Sequence, residues 1–435
     1  MRVKWYLLLV VAAAAFFGGG WILRQRLGRS GAVASATSSV DEATGRLFTS
    51  VFQTIRSHAV DSLDDQAIYR LATTGVLAEL GDPYAALIAG NDSGAVDRLG
   101  EPAEQGLYLD QPDGFVEVVA VVSGSPADRA GLRAGDALLR VGGASIESRR
   151  ADEVRRMVAG ADGSTVRIRV GREGCSAPLW VTLTRGPVPS LPPAVVSPLA
   201  EGTAIVKLSR IDSTTAGLLH RVIDSLVSAR GRGLAIDLRG VVEGGLPDAV
   251  AVADEFVGRG ATIVIARARA GSDSVVWRDR GAEVGTELPV VVLVDRATAG
   301  AAEVVAGALQ DHDRGLVIGE VTFGRGAGQR LFPLGNGSSL RLTTTVWVTP
   351  SGRVIQRFPP RPTPDGVPDT ATARPTHRTD DGRTVLGGGG IVPDREVPGT
   401  GAERSQPGDP SLALARELLA KARTRKALLA TAHQT

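Results

Sequence analysis

The pattern of apolar and polar positions divides the first hundred residues into three stretches. Residues 5–23 form an apolar run without a charge, and arginine or lysine flanks both of its ends. Residues 30–46 are rich in small and hydroxyl-bearing side chains, which is typical of a linker. In residues 47–80 apolar positions recur at intervals of three and four, which predicts a helical segment, and the turn Gly81-Asp82-Pro83 ends it.

A different spacing begins near Gln105, where short apolar stretches rich in valine are separated by glycine turns. This spacing predicts a small β-rich domain with a short helix after Ser125 and a longer helix at residues 151–158. Four prolines between residues 187 and 193 mark its end. The predicted strands are 115–122, 137–141, 165–170 and 179–184.

From residue 203 onward, predicted strands alternate with predicted helices. Alternation implies crossover connections, and therefore a largely parallel sheet. Residues 359–390 are rich in proline, threonine, arginine and glycine, which predicts a long loop, and Asp409-Pro410 begins a last helix that extends to about Ala430. The predicted strands are 203–208, 233–238, 262–266, 289–294, 315–318 and 339–348, and the predicted helices are 214–229, 247–256 and 301–310.

Composition excludes several classes of protein. The 435 residues include 49 lysines and arginines against 47 aspartates and glutamates, a net charge of +2, so we expect no bulk attraction to nucleic acid. Cys175 is the single cysteine, which excludes an internal disulfide framework. The five histidines are scattered and no cysteine/histidine cluster has zinc-ligand spacing, so we predict neither a metal nor another cofactor.

The apolar run at residues 5–23 determines the expected compartment. Its length just suffices for one helix to cross a bilayer, and we predict an uncleaved membrane anchor within residues 1–29. A cleaved signal peptide and a buried helix of a soluble protein are the alternatives, although the arginines after the run fit a cleavage region poorly. An anchor places the remaining chain on the periplasmic side of the cytoplasmic membrane, whereas cleavage makes the protein secreted.

Glycine-containing motifs in the β-rich region carry a first resemblance. Gly124-Ser125-Pro126-Ala127, followed by Gly135-Asp136, resembles a PDZ domain, with Gly106-Leu107-Tyr108-Leu109 at the position of its carboxylate-binding loop. The resemblance implies capture of a peptide or protein C-terminus, which is added as a strand while backbone N–H groups hold the terminal carboxylate. The alternative is a small β domain that only packs.

The third region resembles the C-terminal processing (tail-specific) serine peptidases. The motifs include Asp237-Leu238-Arg239-Gly240, Gly319-Glu320 with Thr322-Phe323-Gly324, and Gly388-Gly389-Gly390, and the resemblance covers about residues 45 to 400 in order. It implies an α/β fold with a crotonase-like, ClpP-like parallel-sheet core, an inserted PDZ domain and an N-terminal helical segment. The expected boundaries are 1–29 for the anchor or signal, 30–46 for a linker, 47–100 for the helical segment, 101–187 for the PDZ domain, 188–397 for the core and 398–435 for a linker and C-terminal helix.

The resemblance also assigns the catalytic positions, and both have changed. The family's serine nucleophile lies three residues before the helix residue Glu303, and that position is Gly300. Its lysine base follows the Thr322-Phe323-Gly324 turn, and that position is Arg325, while Gln329 matches a glutamine that helps to orient the lysine. Glycine offers no nucleophile, and arginine stays protonated near neutral pH.

The frame around these positions is expected to persist. Ala301 begins a helix, so its N–H is a candidate oxyanion-hole donor, and Gly244 and Gly245 are candidates for the other half of the hole. The family's asparagine beside that loop is Val241 here. Arg325 is either a clamp for a peptide carboxylate or an ordinary surface or ion-paired arginine.

Two functions remain open for a chain with the fold of a serine-type endopeptidase but without the Ser/Lys dyad. The first is a catalytically inactive homologue that binds peptide or protein C-termini. The second is an active serine-type endopeptidase with a non-standard nucleophile, for which Thr298 is the candidate. The simpler roles are a helix cap or turn hydroxyl for Thr298 and a structural helix carboxylate for Glu303.

Overall fold

The computed structural model of the protein describes most of the chain from residue 42 onward, and it divides into two compact units, residues 1–76 and 77–435. The apolar run at residues 5–23 and most of the linker after it lie outside the described residues. Within the described part, no helix has the length and hydropathy needed to span a bilayer. The described ranges are 42–61, 63–88, 105–111, 114–147, 149–200, 202–269, 272–279, 281, 287–334, 337–358, 374–398 and 408–432.

The described residues form the following elements, numbered in chain order. The helices are α1 (Glu42–His58), α2 (Asp65–Glu79), α3 (Pro126–Arg129), α4 (Ala151–Val158), α5 (Thr215–Ser228), α6 (Leu246–Asp254), α7 (Ala301–Asp311), α8 (Pro410–Lys421) and α9 (Arg425–Leu429). The strands are β1 (Ala86–Ile88), β2 (Leu107–Asp110), β3 (Glu117–Val121), β4 (Ala137–Val141), β5 (Ala144–Ser145), β6 (Thr165–Gly171), β7 (Leu179–Thr184), β8 (Ala194–Ala200), β9 (Thr203–Leu208), β10 (Gly233–Asp237), β11 (Thr262–Ala268), β12 (Val275–Arg278), β13 (Val290–Val294), β14 (Leu316–Gly319), β15 (Ala327–Pro333), β16 (Ser339–Val348), β17 (Thr376–Arg378), β18 (Thr384–Leu386) and β19 (Arg395–Glu396).

The predicted helical segment before residue 81 consists of two helices, α1 and α2, rather than one. The predicted β-rich domain is an antiparallel sheet in the order β2-β3-β4-β6-β7, with β5 paired to β4. Alternate strand residues such as Leu107, Leu109 and Ile168 point inward, and Val154 of α4 belongs to the same apolar cluster. We call this part, residues 105–186, the PDZ-like domain.

The core contains a six-stranded sheet in the order β19-β14-β13-β10-β9-β8. Every neighbouring pair is parallel except β8–β9, which forms an antiparallel edge. Parallel neighbours require crossover connections, and α5 and α7 provide two of them directly. The predicted α/β class with a parallel-sheet core is therefore confirmed.

Helices cover both faces of this sheet, because consecutive strand residues point to opposite sides. One face packs against α5, α6 and α7 through residues such as Ile236 and Val292. The other face packs against α8 and α9 through residues such as Ala235 and Val291. The prediction of a single last helix was wrong, because Thr424 caps a second helix whose first residue is Arg425.

A second sheet, which is antiparallel, has the order β1-β16-β11-β12, and β15 pairs with β16. The prediction of a long loop at residues 359–390 was wrong for its described part, residues 374–390, because the hairpin β17–β18 lies there. Each of these strands has three residues, which is too short for an alternating apolar pattern to be recognised.

A buried ion-pair network joins the C-terminal helices to the core. Arg239 donates through Nε to Asp237 at 2.8 Å and through Nη1 to Oδ2 of Asp409 at 2.7 Å. The other carboxylate oxygen of Asp409 accepts from the N–H of Leu412 at 3.0 Å and so caps α8. One aspartate therefore begins the helix and anchors it beside the loop that follows β10.

Candidate functional site

Gly300 occupies a sharp turn between β13 and α7. Its φ is 63° and its ψ is −119°, a conformation that costs any residue with a side chain some strain. A methyl group built on Gly300 would have the C=O oxygen of Val242, at 3.7 Å, as its nearest neighbour. The turn therefore has space for the side chain that this sequence lacks.

Glu303 connects this turn to the loop that contains Arg325. Its Oε2 accepts the N–H groups of Gly300 at 3.0 Å and Arg325 at 2.7 Å. Its Oε1 accepts the N–H of Gly324 at 2.7 Å and the hydroxyl of Thr322 at 2.5 Å. Burial raises the pKa of the Glu303 carboxyl to about 6, although these donors favour its ionised form. The hydrogen bonds agree with the predicted structural role.

The candidate oxyanion-hole residues come together only in part. Ala301 is the first residue of α7, and among the described residues no acceptor receives its N–H. Gly244 lies beside it, because a methyl group on Gly244 would approach Cβ of Ala301 to 2.8 Å. Gly245 instead caps α6. Val241, at the family's asparagine position, is fully buried, and its C=O accepts from the N–H of Ala299 at 2.9 Å.

Arg325 is an ion-paired, nearly buried arginine. Its side chain is 12% exposed, and its Nε lies 3.5 Å from Oδ2 of Asp110 in β2 of the PDZ-like domain. The same carboxylate oxygen accepts from the hydroxyl of Tyr84 at 3.4 Å. Gln329 lies on β15, and its Oε1 is buried without a hydrogen-bond partner among the described residues. The Arg325 side chain of the core thus contacts the PDZ-like domain.

The hydroxyl of Thr298 is committed to the turn before α7. The side chain is fully buried, and Oγ1 accepts from the N–H of Asp295 at 2.9 Å and donates to the C=O of Leu238 at 3.0 Å. These bonds join the end of β13 to the loop after β10. They fit the predicted role of a turn hydroxyl.

The PDZ-like domain packs directly over this region of the core. Tyr108, Val119 and Ala120 of β2 and β3 form one apolar cluster with core residues, and these are Val242, Ala297, Ala299 and Phe323. The hydroxyl of Tyr108 donates to Glu243, which adjoins Gly244 in sequence. Burial is the largest cause that raises the pKa of this hydroxyl, and the hydrogen bond to Glu243 is the second.

The four candidate peptide-binding residues differ in which side of β2 their backbone groups face. The N–H of Val122 donates to the C=O of Gly106 at 2.9 Å, so by alternation Gly106 and Tyr108 face β3 and the backbones of Leu107 and Leu109 face the open edge of β2. The side chains of Leu107 and Leu109 are buried in the domain core. At the open edge, Nη2 of Arg155 on α4 donates to the C=O of Leu109 at 2.6 Å.

Sequence analysis missed Asp110, Arg155 and Glu243. Each is a single polar residue outside any motif, and only the packing of the PDZ-like domain on the core places it beside the site. No cluster of three or more histidine, cysteine, aspartate or glutamate side chains in the described ranges is arranged to hold a metal ion.

Comparison with known proteins agrees with this architecture. The model of peptidase family S41 matches residues 202–365, and that of the PDZ domain matches residues 117–172. The chain is 30% identical over 315 residues to the carboxy-terminal-processing protease of Bartonella bacilliformis, covering 71% of this chain and 72% of that protein. It is 27% identical over 333 residues to the carboxy-terminal processing protease CtpA of Bacillus subtilis, covering 76% and 70%.

A solved structure is similar over most of the chain. The photosystem II D1 C-terminal processing protease superposes with a TM-score of 0.63 at 25% identity, covering 81% of this chain and 92% of that one.

Proposed function

The chain belongs to the carboxy-terminal processing proteases of peptidase family S41, and on that premise we propose that it binds the C-termini of peptides or proteins without cleaving them by the family's serine–lysine reaction. The observation that carries the proposal is the pair Gly300 and Arg325 within a retained frame. The turn at Gly300 has room for a side chain, and Glu303 still holds the backbone at both positions.

The chemistry of the serine–lysine reaction needs both missing groups. A serine hydroxyl attacks the peptide carbonyl, and a lysine with a lowered pKa takes its proton. Gly300 has no side chain to form an acyl-enzyme, and a guanidinium keeps its proton at any physiological pH. Loss of one such group costs serine peptidases about 10⁴- to 10⁶-fold in turnover. Arg325 is an ion-paired arginine, because its Nε lies 3.5 Å from Oδ2 of Asp110, and this contact alone gives the side chain no role in binding.

Peptide binding is supported by the strand edge that remains in the PDZ-like domain. The backbones of Leu107 and Leu109 face outward along β2, in the manner required for a peptide to be added as a strand. Gly106, at the start of that strand, has a φ of 80°, which a residue with a side chain adopts only with strain. A methyl group there would also lie 2.3 Å from Cβ of Ser125.

The competing function is an active endopeptidase with Thr298 as nucleophile. The bond from the Thr298 hydroxyl to the C=O of Leu238 weighs against it, because a nucleophile must be free to reach a substrate carbonyl.

The cellular location is a second proposal. We propose that residues 5–23 anchor the chain in the cytoplasmic membrane, which the charge-free apolar run supports. We also propose that the remaining chain lies on the periplasmic side, because the family resemblance implies an exported protein. Protease added to intact spheroplasts is expected to degrade the chain, and protection would contradict the proposal.

One experiment separates binding from cleavage. The purified full chain is incubated with an unfolded protein and with peptides that have apolar C-termini, and binding and fragment masses are both measured. We expect binding without fragments. Cleavage that survives repeated purification and disappears in Thr298→Ala would overturn the proposal, and absence of binding would contradict capture of C-termini.

A further inference from the structure

Two arginines from different domains lie at the Asp110 end of β2. Arg325 lies in the loop between β14 and β15, and its Nε is 3.5 Å from Oδ2 of Asp110, the last residue of β2. Arg155 lies on α4, and its Nη2 donates to the C=O of Leu109, the residue before Asp110, at 2.6 Å. Burial lowers the pKa of Arg155, and the charge of Arg325 is the next cause. The two guanidinium groups therefore act on each other.

Part of the hydrogen-bonding capacity of Arg155 has no acceptor among the described residues. A guanidinium has five N–H donors, and a buried donor without an acceptor is costly. The contact with Asp110 is the one ion pair that the described residues give Arg325, and Nε of Arg155 is buried without a partner among them. Asp152, a further acid near Arg155, is shared with two other arginines. The result is an excess of positive charge at this point.

Arg155 and Arg325 lie at the Asp110 end of β2, whereas the candidate carboxylate-binding loop lies at its Gly106 end. A peptide whose terminal carboxylate lies at Gly106 must run along β2 toward Asp110, antiparallel to that strand. The three residue steps from Leu107 to Asp110 span about 10 Å. The peptide residue about three positions before the C-terminus therefore lies beside Asp110 and within reach of both guanidinium groups.

We propose that Arg155 and Arg325 form an anion subsite for the bound peptide, and that an acidic side chain about three positions before the peptide's C-terminus occupies it in place of Asp110. The inference rests on the proposed binding of peptide C-termini and names the ligand class: peptides with a free C-terminus and an aspartate or glutamate at that position. Asp110 pairs with Arg325 until the peptide arrives. Arg155 then releases the C=O of Leu109, which the added strand needs.

Fluorescence anisotropy with short labelled peptides and the full chain in detergent tests this subsite. All peptides end in the same apolar residue, and they carry glutamate or glutamine three positions before it. We expect the glutamate peptide to bind about tenfold more tightly, since it gains a charge-assisted pair. Glutamate moved to six positions before the end should bring no gain. Amidation of the C-terminus should weaken both peptides equally and leave the ratio unchanged.

Substitutions assign the effect to the two arginines. Arg155→Met and Arg325→Met are each expected to reduce the ratio of the two affinities to about one. Arg156→Met is the matched control, because Arg156 is the next residue on α4 and its side chain is 71% exposed. We expect this control to keep the tenfold ratio. Asp110→Asn, which leaves both arginines in place, is expected to raise the affinity for the glutamate peptide.

The outcomes separate this inference from the proposed function. Equal affinities for the glutamate and glutamine peptides overturn the subsite but leave capture of C-termini intact. A ratio that survives both methionine variants, or that disappears on amidation, also overturns it, because the recognised carboxylate or its partner is then another group. Failure of every peptide to bind overturns the proposed function and the subsite together.

Discussion

Gly300 and Arg325, the two positions to which the family resemblance assigns the catalytic side chains, donate their backbone N–H groups to the same oxygen, Oε2 of Glu303, at 3.0 and 2.7 Å. The geometry of the pocket is therefore set by a third residue. Neither glycine nor arginine at these positions alters the hydrogen bonds that hold the backbone, because both bonds come from the main chain.

Replacement of Glu303 by glutamine should destabilise the whole core. A glutamine cannot accept hydrogen bonds at both ends of its amide, so at least one buried N–H loses its acceptor. We expect the free energy of unfolding to fall by about 3 kcal/mol. Urea unfolding followed by circular dichroism measures it. Glu417→Gln, which breaks an exposed pair with Lys421, is the control and should leave the free energy of unfolding unchanged. Equal effects of the two variants would contradict the role of Glu303.

The Glu303 carboxyl should also make stability depend on pH. Its pKa rises from 4.5 to about 6 on folding, so between these values the folded chain binds more protons than the unfolded chain. The contribution of this group to stability is therefore highest below pH 4.5 and falls as pH rises toward 6 and above, by about 2 kcal/mol in total. Comparison of the unmodified chain with Glu303→Gln by urea unfolding between pH 4 and 7 isolates it. A difference that changes in the opposite direction with pH would refute this assignment.

Gly300→Ser combined with Arg325→Lys should restore peptide cleavage. The nearest atom to an added Cβ is 3.7 Å away, so a serine fits the turn without a clash. We expect turnover at least about 100-fold above that of the unmodified chain, measured by mass spectrometry of an unfolded substrate. Gly300→Ala with Arg325→Lys is the control, because it keeps the backbone strain and the lysine but has no hydroxyl.

Asp110 is expected to limit the restored reaction. A lysine at position 325 would lie beside this carboxylate, which raises the pKa of an amine and so keeps it protonated. Addition of Asp110→Asn to the double variant should therefore raise turnover further and shift its pH optimum downward. An unchanged pH profile would show that the carboxylate does not act on the base.

Asp409→Ala should lower the free energy of unfolding by more than the loss of a helix cap alone would. Asp409 caps α8 and also pairs with the buried Arg239, so its removal leaves a buried guanidinium with one partner fewer. We expect a loss of about 3 to 5 kcal/mol in the free energy of unfolding. Thr424→Ala removes only a cap, that of α9, and is expected to cost about 1 kcal/mol. Chemical denaturation of both variants gives the comparison.

The sequence was sufficient for most of the fold because long elements have a strong period. Alternation of strands and helices after residue 203 predicted the parallel sheet, and the resemblance to the peptidase family directed attention to Gly300, Glu303 and Arg325. The hairpin β17–β18 was not predictable, since three-residue strands are defined by their pairing and not by their own pattern.

The contacts between the PDZ-like domain and the core could not be predicted from the sequence either. Asp110 and Arg325 are 215 positions apart, and Tyr108 and Glu243 are 135 positions apart. No local pattern encodes such pairs, because they follow from how the PDZ-like domain docks on the core. The burial of Arg325 could therefore not be distinguished from a surface position until the fold was known.

The hydrogen bonds of Glu303 make the backbone structure at positions 300 and 325 independent of the reactivity of the side chains at these positions. Selection for a stable pocket acts on Glu303 and its main-chain donors, whereas selection for reactivity acts on the side chains at 300 and 325. A lineage can therefore give up hydrolysis in two steps while it inherits the pocket unchanged. The same independence allows the reverse path, in which an established receptor for C-termini acquires chemistry without rebuilding its architecture.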